Sequence, residues 1–120
     1  MTWRQLCKLG RALPEVVEDL WYGTPALKVR KRAFSRLKEN GQDVLFILES
    51  VEEQEALIDA RPDLYFITDH YRGYGSVLAR LAVLDVAECR VRLERGWRLK
   101  APPALVRAFD GEGAPARRKR

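Results

Sequence analysis

The residues of this chain best suited to chemistry are gathered in one place. His70, Tyr71, Arg72 and Tyr74 lie in the run Thr68-Asp69-His70-Tyr71-Arg72-Gly73-Tyr74-Gly75-Ser76. A turn needs glycine where the backbone bends sharply. It needs neither the only histidine of the chain nor two tyrosines and an arginine beside it. Tyrosine rings and a guanidinium stack on nucleobases, and arginine also grips phosphate. The bland alternative is a loop whose tyrosines pack over the end of a sheet with their hydroxyls in water.

A second cluster is basic. Lys28, Arg30, Lys31, Arg32, Arg36 and Lys38 fall within residues 28–38, with no acid among them. Arg36 and Lys38 share a strand face by the period of two, and Phe34 joins them if the strand is regular. Such a hairpin suits phosphate contact, and two-stranded ribbons do enter DNA grooves. The same charges also suit an edge hairpin protected against edge-to-edge pairing. Residues 49–63 carry the opposite sign, with Glu49, Glu52, Glu53, Glu55, Asp59 and Asp63 against Arg61 alone. Of the formal net charge of +5, four charges belong to Arg117, Arg118, Lys119 and Arg120. The body of the molecule is therefore polar end to end rather than uniformly basic.

Other chemistries find little support. One histidine and two distant cysteines make no cluster at zinc spacing. Cys7 and Cys89 sit on apolar helix faces, where a thiol is a small core residue rather than a nucleophile. Ser76, His70 and Asp69 make a poor Ser-His-Asp set, because near neighbours rarely aim their side chains into one triad. Gly73-Tyr74-Gly75 is too short for a phosphate cradle and lacks the following Lys-Ser or Lys-Thr. The expectation is a non-enzymatic protein with no catalytic residue, no metal and no cofactor.

These clusters need a fold to position them. Thr2 with Gln5 forms a capping box, and Trp3, Leu6, Leu9, Gly10 and Leu13 then trace one helical face until Pro14. Residues 16–22 are ambiguous and end at the break Gly23-Thr24-Pro25. Strands are predicted over residues 26–30, 33–38 and 43–49. The last two are joined by Glu39-Asn40-Gly41-Gln42, whose Asn-Gly pair is a strong hairpin signal. Val44-Leu45-Phe46-Ile47-Leu48 is apolar on both faces, which predicts a central strand covered on much of both sides.

Ser50 with Glu53 caps a second helix running to about Ala60, and strands follow over residues 64–67 and 76–82. Asp85 with Glu88 caps a third helix with Val86, Cys89, Leu93 and Trp97 on one stripe. Trp21 and Trp97 are assigned to the core. Pro102 or Pro103 opens a short fourth helix ending near Phe109, with Gly111 as its C-cap. The order α-β-β-β-α-β-β-α-α describes an α+β domain in two layers, an antiparallel sheet of about five strands packed against helices.

The chain of 120 residues, 47% apolar, reads as a single domain over residues 1–110. A basic tail at 111–120 has no large apolar residue and is expected to be disordered. No apolar run approaches the roughly 18 residues of a membrane span, and the start lacks a signal-peptide pattern. With two isolated cysteines besides, a cytoplasmic protein is expected.

The segments Trp21-Tyr22-Gly23-Thr24-Pro25-Ala26-Leu27-Lys28-Val29-Arg30, Ala33-Phe34-Ser35-Arg36-Leu37, His70-Tyr71-Arg72-Gly73-Tyr74 and Trp97-Arg98-Leu99, in this order, resemble the MmcQ/YjbR family of small bacterial proteins. The resemblance covers about residues 1–110. It implies an α+β fold grouped with secretion-chaperone-like folds, and a DNA-binding role sometimes described as a double-wing arrangement. Trp21, Pro25, Phe34, Tyr71, Arg72, Gly73 and Tyr74 stand where the family pattern has them. The chain departs from that pattern at Lys31-Arg32, where a Gly-Lys turn is usual, and at Gly75-Ser76, where Pro-Trp is usual.

The expected function is nucleic-acid binding. Lys28, Arg30, Lys31, Arg32, Arg36 and Lys38 would meet phosphates, and His70, Tyr71, Arg72 and Tyr74 would line an adjacent groove. Neutralising about four to six phosphates would make affinity fall by roughly two to three decades between 50 and 200 mM salt. Two alternatives remain open. One is a protein-interaction module, in keeping with the chaperone-like fold, and the other is a small-anion site beneath residues 68–76 using His70 and Arg72.

Overall fold

The structure is a computed structural model and describes residues 1–113. The elements among them are α1 (Trp3–Gly10), β1 (Val16–Trp21), β2 (Thr24–Val29), β3 (Arg32–Leu37), β4 (Asp43–Ile47) and α2 (Val51–Ala60). These are followed by β5 (Tyr65–Phe66), a 3₁₀ turn (Asp69–Tyr71), β6 (Ser76–Arg80), α3 (Val86–Lys100) and α4 (Pro103–Gly113). The strands form one antiparallel sheet in the order β1-β2-β3-β4-β6-β5. The α+β class expected from the sequence is the one found, with six strands instead of about five.

The additional strand is the ambiguous segment, Val16–Trp21. It lacks apolar alternation because it is the outermost strand, and residues 17–20 are exposed on both faces. Its turn is what makes it a strand. Trp21 pairs with Thr24 across Tyr22-Gly23, whose φ angles are 53° and 79°, as a two-residue primed hairpin turn requires. Arg30-Lys31 repeats the device between β2 and β3, with φ of 50° and 69°. Neither is a glycine, so this turn carries backbone strain. An ion pair from Arg30 to Glu15, beside the start of β1, holds it in place.

One face of the sheet carries the core. Leu27, Val29, Phe34, Val44, Phe46 and Val77 are buried there against Leu6 of α1 and Leu93 and Trp97 of α3. Each such side chain contributes about 1.5–3 kcal/mol by leaving water. α3 packs across β3 and β4. Gly96 allows the close approach, since a Cβ there would stand 3.3 Å from the Phe34 carbonyl oxygen.

The structure corrects four details of the sequence reading. Trp97 is core, its indole N–H donating to the Pro14 carbonyl at 3.0 Å, but Trp21 is only half-buried and lines the opposite face. On α3, Val86 is exposed, and the buried stripe runs through Cys89, Leu93, Gly96 and Trp97. A bulge opposite Leu27 and Lys28 makes β3 irregular, so Phe34 enters the core while Arg36 lies in a cleft on the other face. Finally, α4 continues to Gly113, so Gly111 lies inside it and does not cap it. The rest of the basic tail, residues 114–120, lies outside the described residues.

Cys7 and Cys89 are buried and unbridged, and burial pushes both thiols up to about 12. Among the described residues no helix is long and apolar enough to cross a membrane.

Candidate functional site

The face of the sheet opposite the core holds a cleft of about 640 Å³. Arg36 and Leu45 are cross-strand partners on β3 and β4, as are Ile47 and Ser76 on β4 and β6, and these four floor it. Trp21 and Tyr22 close the end formed by the β1–β2 turn. Thr68, His70, Tyr71 and Tyr74 close the other, with Lys38 and Glu39 between them. The two-sided apolarity of β4 now has its cause. Val44 and Phe46 feed the core, while Leu45 and Ile47 floor the cleft.

Two cations define the electrostatics. Arg36 is only 5% exposed; its guanidinium donates to Thr24 Oγ1 at 2.7 Å and meets the Glu39 carboxylate at 3.4 Å. Among the described residues its Nε has no hydrogen-bond partner, and the Tyr22 ring centre lies 5.4 Å from the guanidinium carbon. A buried cation costs several kcal/mol unless it is well compensated. A strong charge-assisted bond is about 2.7–2.9 Å long, so Glu39 compensates this one poorly.

Lys38 donates to Tyr71 Oη at 2.5 Å, with Glu39 3.5 Å away. Its Nζ is 4.9 Å from the Tyr71 ring centre. The ammonium therefore sits beyond the hydroxyl edge of the ring, in a hydrogen bond rather than a face-on cation–π contact. The Glu39 carboxyl is held below the usual carboxylate range, first by its own backbone N–H and further by Lys38 and Arg36.

The loop is set by a residue that sequence reasoning passed over. Gln54 of α2 is buried, and its Nε2 lies 3.0 Å from the Tyr71 carbonyl, 2.9 Å from that of Tyr74 and 2.7 Å from that of Ser76. One amide has two N–H donors, so the three carbonyls share them and converge on one point. Gly73 supplies the left-handed turn, at φ 84°. Tyr74 is left 65% exposed and Tyr71 half-buried. His70 is exposed, with its ring edge-on to Tyr71 at 4.9 Å.

Of the expected site residues, the cleft brings together Arg36, Lys38, His70, Tyr71 and Tyr74. The others stand apart. Lys28 is ion-paired with Asp19 at 3.3 Å, Arg30 with Glu15, and Arg72 with Asp69 at 2.8 Å. Arg32 donates to the Lys100 carbonyl at the end of α3, and Lys31 is exposed on the turn.

Trp21, Tyr22, Thr24, Glu39 and Gln54 were not anticipated. The signal for Tyr22 was the Tyr-Gly dipeptide between two extended segments. The signal for Gln54 was a polar residue on the helical stripe of Val51, Leu57 and Ile58. Chemically the arrangement can hold a flat ring against aromatic walls and an anion against Arg36 and Lys38. Among the described residues there is no group of three His, Cys, Asp or Glu side chains placed to hold a metal ion.

The chain is similar to proteins of Mycobacterium bovis and of two strains of Mycobacterium tuberculosis, each described as uncharacterized. All three are 30% identical to it over 122 aligned positions, which cover 90% of this chain and 95% of theirs. The family model named YjbR matches residues 11–99, a span from the end of α1 to the last turn of α3 that contains every residue lining the cleft. The chain belongs to the YjbR family.

Proposed function

We propose that this protein binds nucleic acid, without catalysing a reaction, through the cleft and the basic edge beside it. One observation carries the reading. The rings of Trp21, Tyr22, Tyr71 and Tyr74 and the cations Arg36 and Lys38 line a single cleft of about 640 Å³. Stacking on an aromatic side chain is worth about 1–3 kcal/mol per base, and cations beside the rings meet the backbone.

The hairpin cations take an outer role in this reading. Lys28 and Arg30 would exchange Asp19 and Glu15 for phosphate, and Lys31 stands exposed at the turn. Because Lys28 and Arg30 already have acidic partners, about two to four neutralised phosphates is the appropriate count. The matching loss of single-strand affinity between 50 and 200 mM salt is about one to two decades.

The test is fluorescence-anisotropy titration of short labelled DNA with the full chain, Lys38→Met and Arg30→Glu/Arg32→Glu, at both salt concentrations. Binding that weakens with salt and in Lys38→Met supports the reading. Absence of binding at 50 mM salt, or binding indifferent to salt and to both variants, overturns it. The cleft beneath residues 68–76, with His70 on its wall, favours one second reading, a free aromatic anion as the ligand.

A further inference from the structure

We infer that the cleft takes one unpaired nucleotide of a single strand, its base against the tyrosine rims and its phosphate on Arg36 and Lys38. This rests on the nucleic-acid reading above and narrows it from nucleic acid in general to strands with accessible bases. The argument begins with depth. Arg36 is 5% exposed and lies at the bottom of the cleft, flanked by Leu45 and Ile47. A duplex presents its phosphates on a broad convex surface and keeps its bases inside. It cannot bring a phosphate down to such a group, whereas a splayed nucleotide can, and unpaired bases are what aromatic side chains stack upon. The cleft volume of about 640 Å³ lies within the range of small-ligand pockets and far below the girth of a double helix.

The second argument is the unsatisfied state of the cation. Among the described residues Nε of Arg36 has no hydrogen-bond partner, although the same guanidinium donates to Thr24 Oγ1. Among the described residues, the carboxylate that meets it is that of Glu39, at 3.4 Å from Arg36 and 3.5 Å from Lys38. Spanning two cations at long range, this carboxylate stands in the place where a phosphate would sit, and a phosphate brings more oxygens to the same two groups.

The third argument is the placement of the rings. Tyr22 is 76% and Tyr74 65% exposed, large aromatic surfaces on opposite rims of the same cleft. Two such rims, with Leu45 and Ile47 in the floor between them, suit a flat heterocycle entering from solvent. The shared chemistry is a phosphorylated aromatic heterocycle. It could reach the cleft as part of a strand or as a free nucleotide.

The experiment uses the full chain, Tyr22→Leu/Tyr74→Leu, and Arg90→Ala as a remote control. Anisotropy is measured with a labelled single strand and with a hairpin duplex of the same bases, at 50 mM salt. A nucleoside monophosphate and inorganic phosphate serve as unlabelled competitors. The expected result is single-strand binding at least 10-fold tighter than duplex binding. The double tyrosine variant should lose about 10-fold on the single strand and keep its duplex affinity, with Arg90→Ala unchanged. The monophosphate should compete more strongly than phosphate.

If duplex binds as well as single strand, and the tyrosine variant weakens both alike or neither, the single-nucleotide inference fails while nucleic-acid binding stands. If neither oligonucleotide binds but the monophosphate protects the chain against thermal unfolding, both are overturned and a free aromatic anion is the ligand. If nothing binds, both fail. Both substituted side chains are exposed, so an unchanged melting temperature separates a lost contact from a lost fold.

Discussion

The Nζ of Lys38 and the phenolic oxygen of Tyr71 are 2.5 Å apart, although 33 residues separate them in sequence. This one hydrogen bond joins the two clusters that the sequence presents separately, the basic hairpin and the His-Tyr-Arg-Gly-Tyr loop. It fixes a cation and a ring on the same wall of the cleft.

Removing either partner should have distinguishable effects. Tyr71→Phe keeps the ring but strips Lys38 of its acceptor, at a cost of about 1 kcal/mol in urea unfolding. Lys38→Met takes away a phosphate contact, which should reduce the slope of log affinity against log salt by about 0.7 for a single strand. Equal slopes for the variant and the parent would show that Lys38 meets no phosphate.

Glu39 competes with any anion for Arg36 and Lys38. Glu39→Gln should therefore tighten oligonucleotide binding several-fold at low salt and leave the melting temperature nearly unchanged, because this side chain is largely exposed. The pH dependence has a defined sign. The Glu39 carboxyl titrates below its ordinary value of 4.5, so it competes at neutral pH and stops competing only as pH falls below that value. Affinities of parent and variant should converge there, as titrations across a pH series would record.

Gln54→Leu tests the pin on the loop. Three backbone carbonyls lose the Gln54 amide; those of Tyr71 and Tyr74 keep the Tyr74 and Ser76 N–H groups, and the loss of the shared donor costs about 1–3 kcal/mol. The loss should appear as faster hydrogen exchange in residues 71–76 and weaker oligonucleotide binding by a chain that is still folded. Unchanged exchange in that segment would mean the loop is held by something else.

Glu53 supplies acid sensitivity. Burial alone would raise its pKa, but the Glu49 backbone N–H, Arg95 and Arg92 outweigh this and lower it. A carboxyl with a lowered folded-state value stabilises the fold above its unfolded titration, near pH 4.5, and that contribution is lost as pH falls through the folded value. Glu53→Gln should cost about 1–3 kcal/mol at pH 7. Denaturant unfolding should show the difference from the parent shrinking towards low pH.

The sequence made some elements legible and hid others for physical reasons. Capping boxes at Thr2, Ser50 and Asp85 marked helix starts because they are local in the chain, and all three residues cap the helices found. Asn40-Gly41 marked its hairpin for the same reason: Asn40 Oδ1 accepts from the Gln42 and Asp43 N–H groups. β1 was hidden because an outer strand exposed on both faces has no apolar period to read. Trp21 was misplaced because a large ring suits a core and an aromatic cleft equally well, and only the strand's position decides between them. Arg36 and Phe34 were put on one face because a bulge cannot be seen in residue spacing. The meeting of Lys38 with Tyr71 depends on sheet order, which no local pattern encodes.

The position of α2 has a directional consequence. Through Gln54 the helix is fastened behind residues 71–76, and its outward face carries Glu52, Glu55 and Asp59. Across the sheet from β6 and β5, at the β2–β3 turn, lies the hairpin with Lys28 and Lys31. A flexible polyanion seated in the middle is thus repelled on one flank and attracted on the other. Its footprint becomes lopsided, and its two ends cease to be equivalent. A protein built this way would cover more of a strand on its hairpin flank than on its α2 flank.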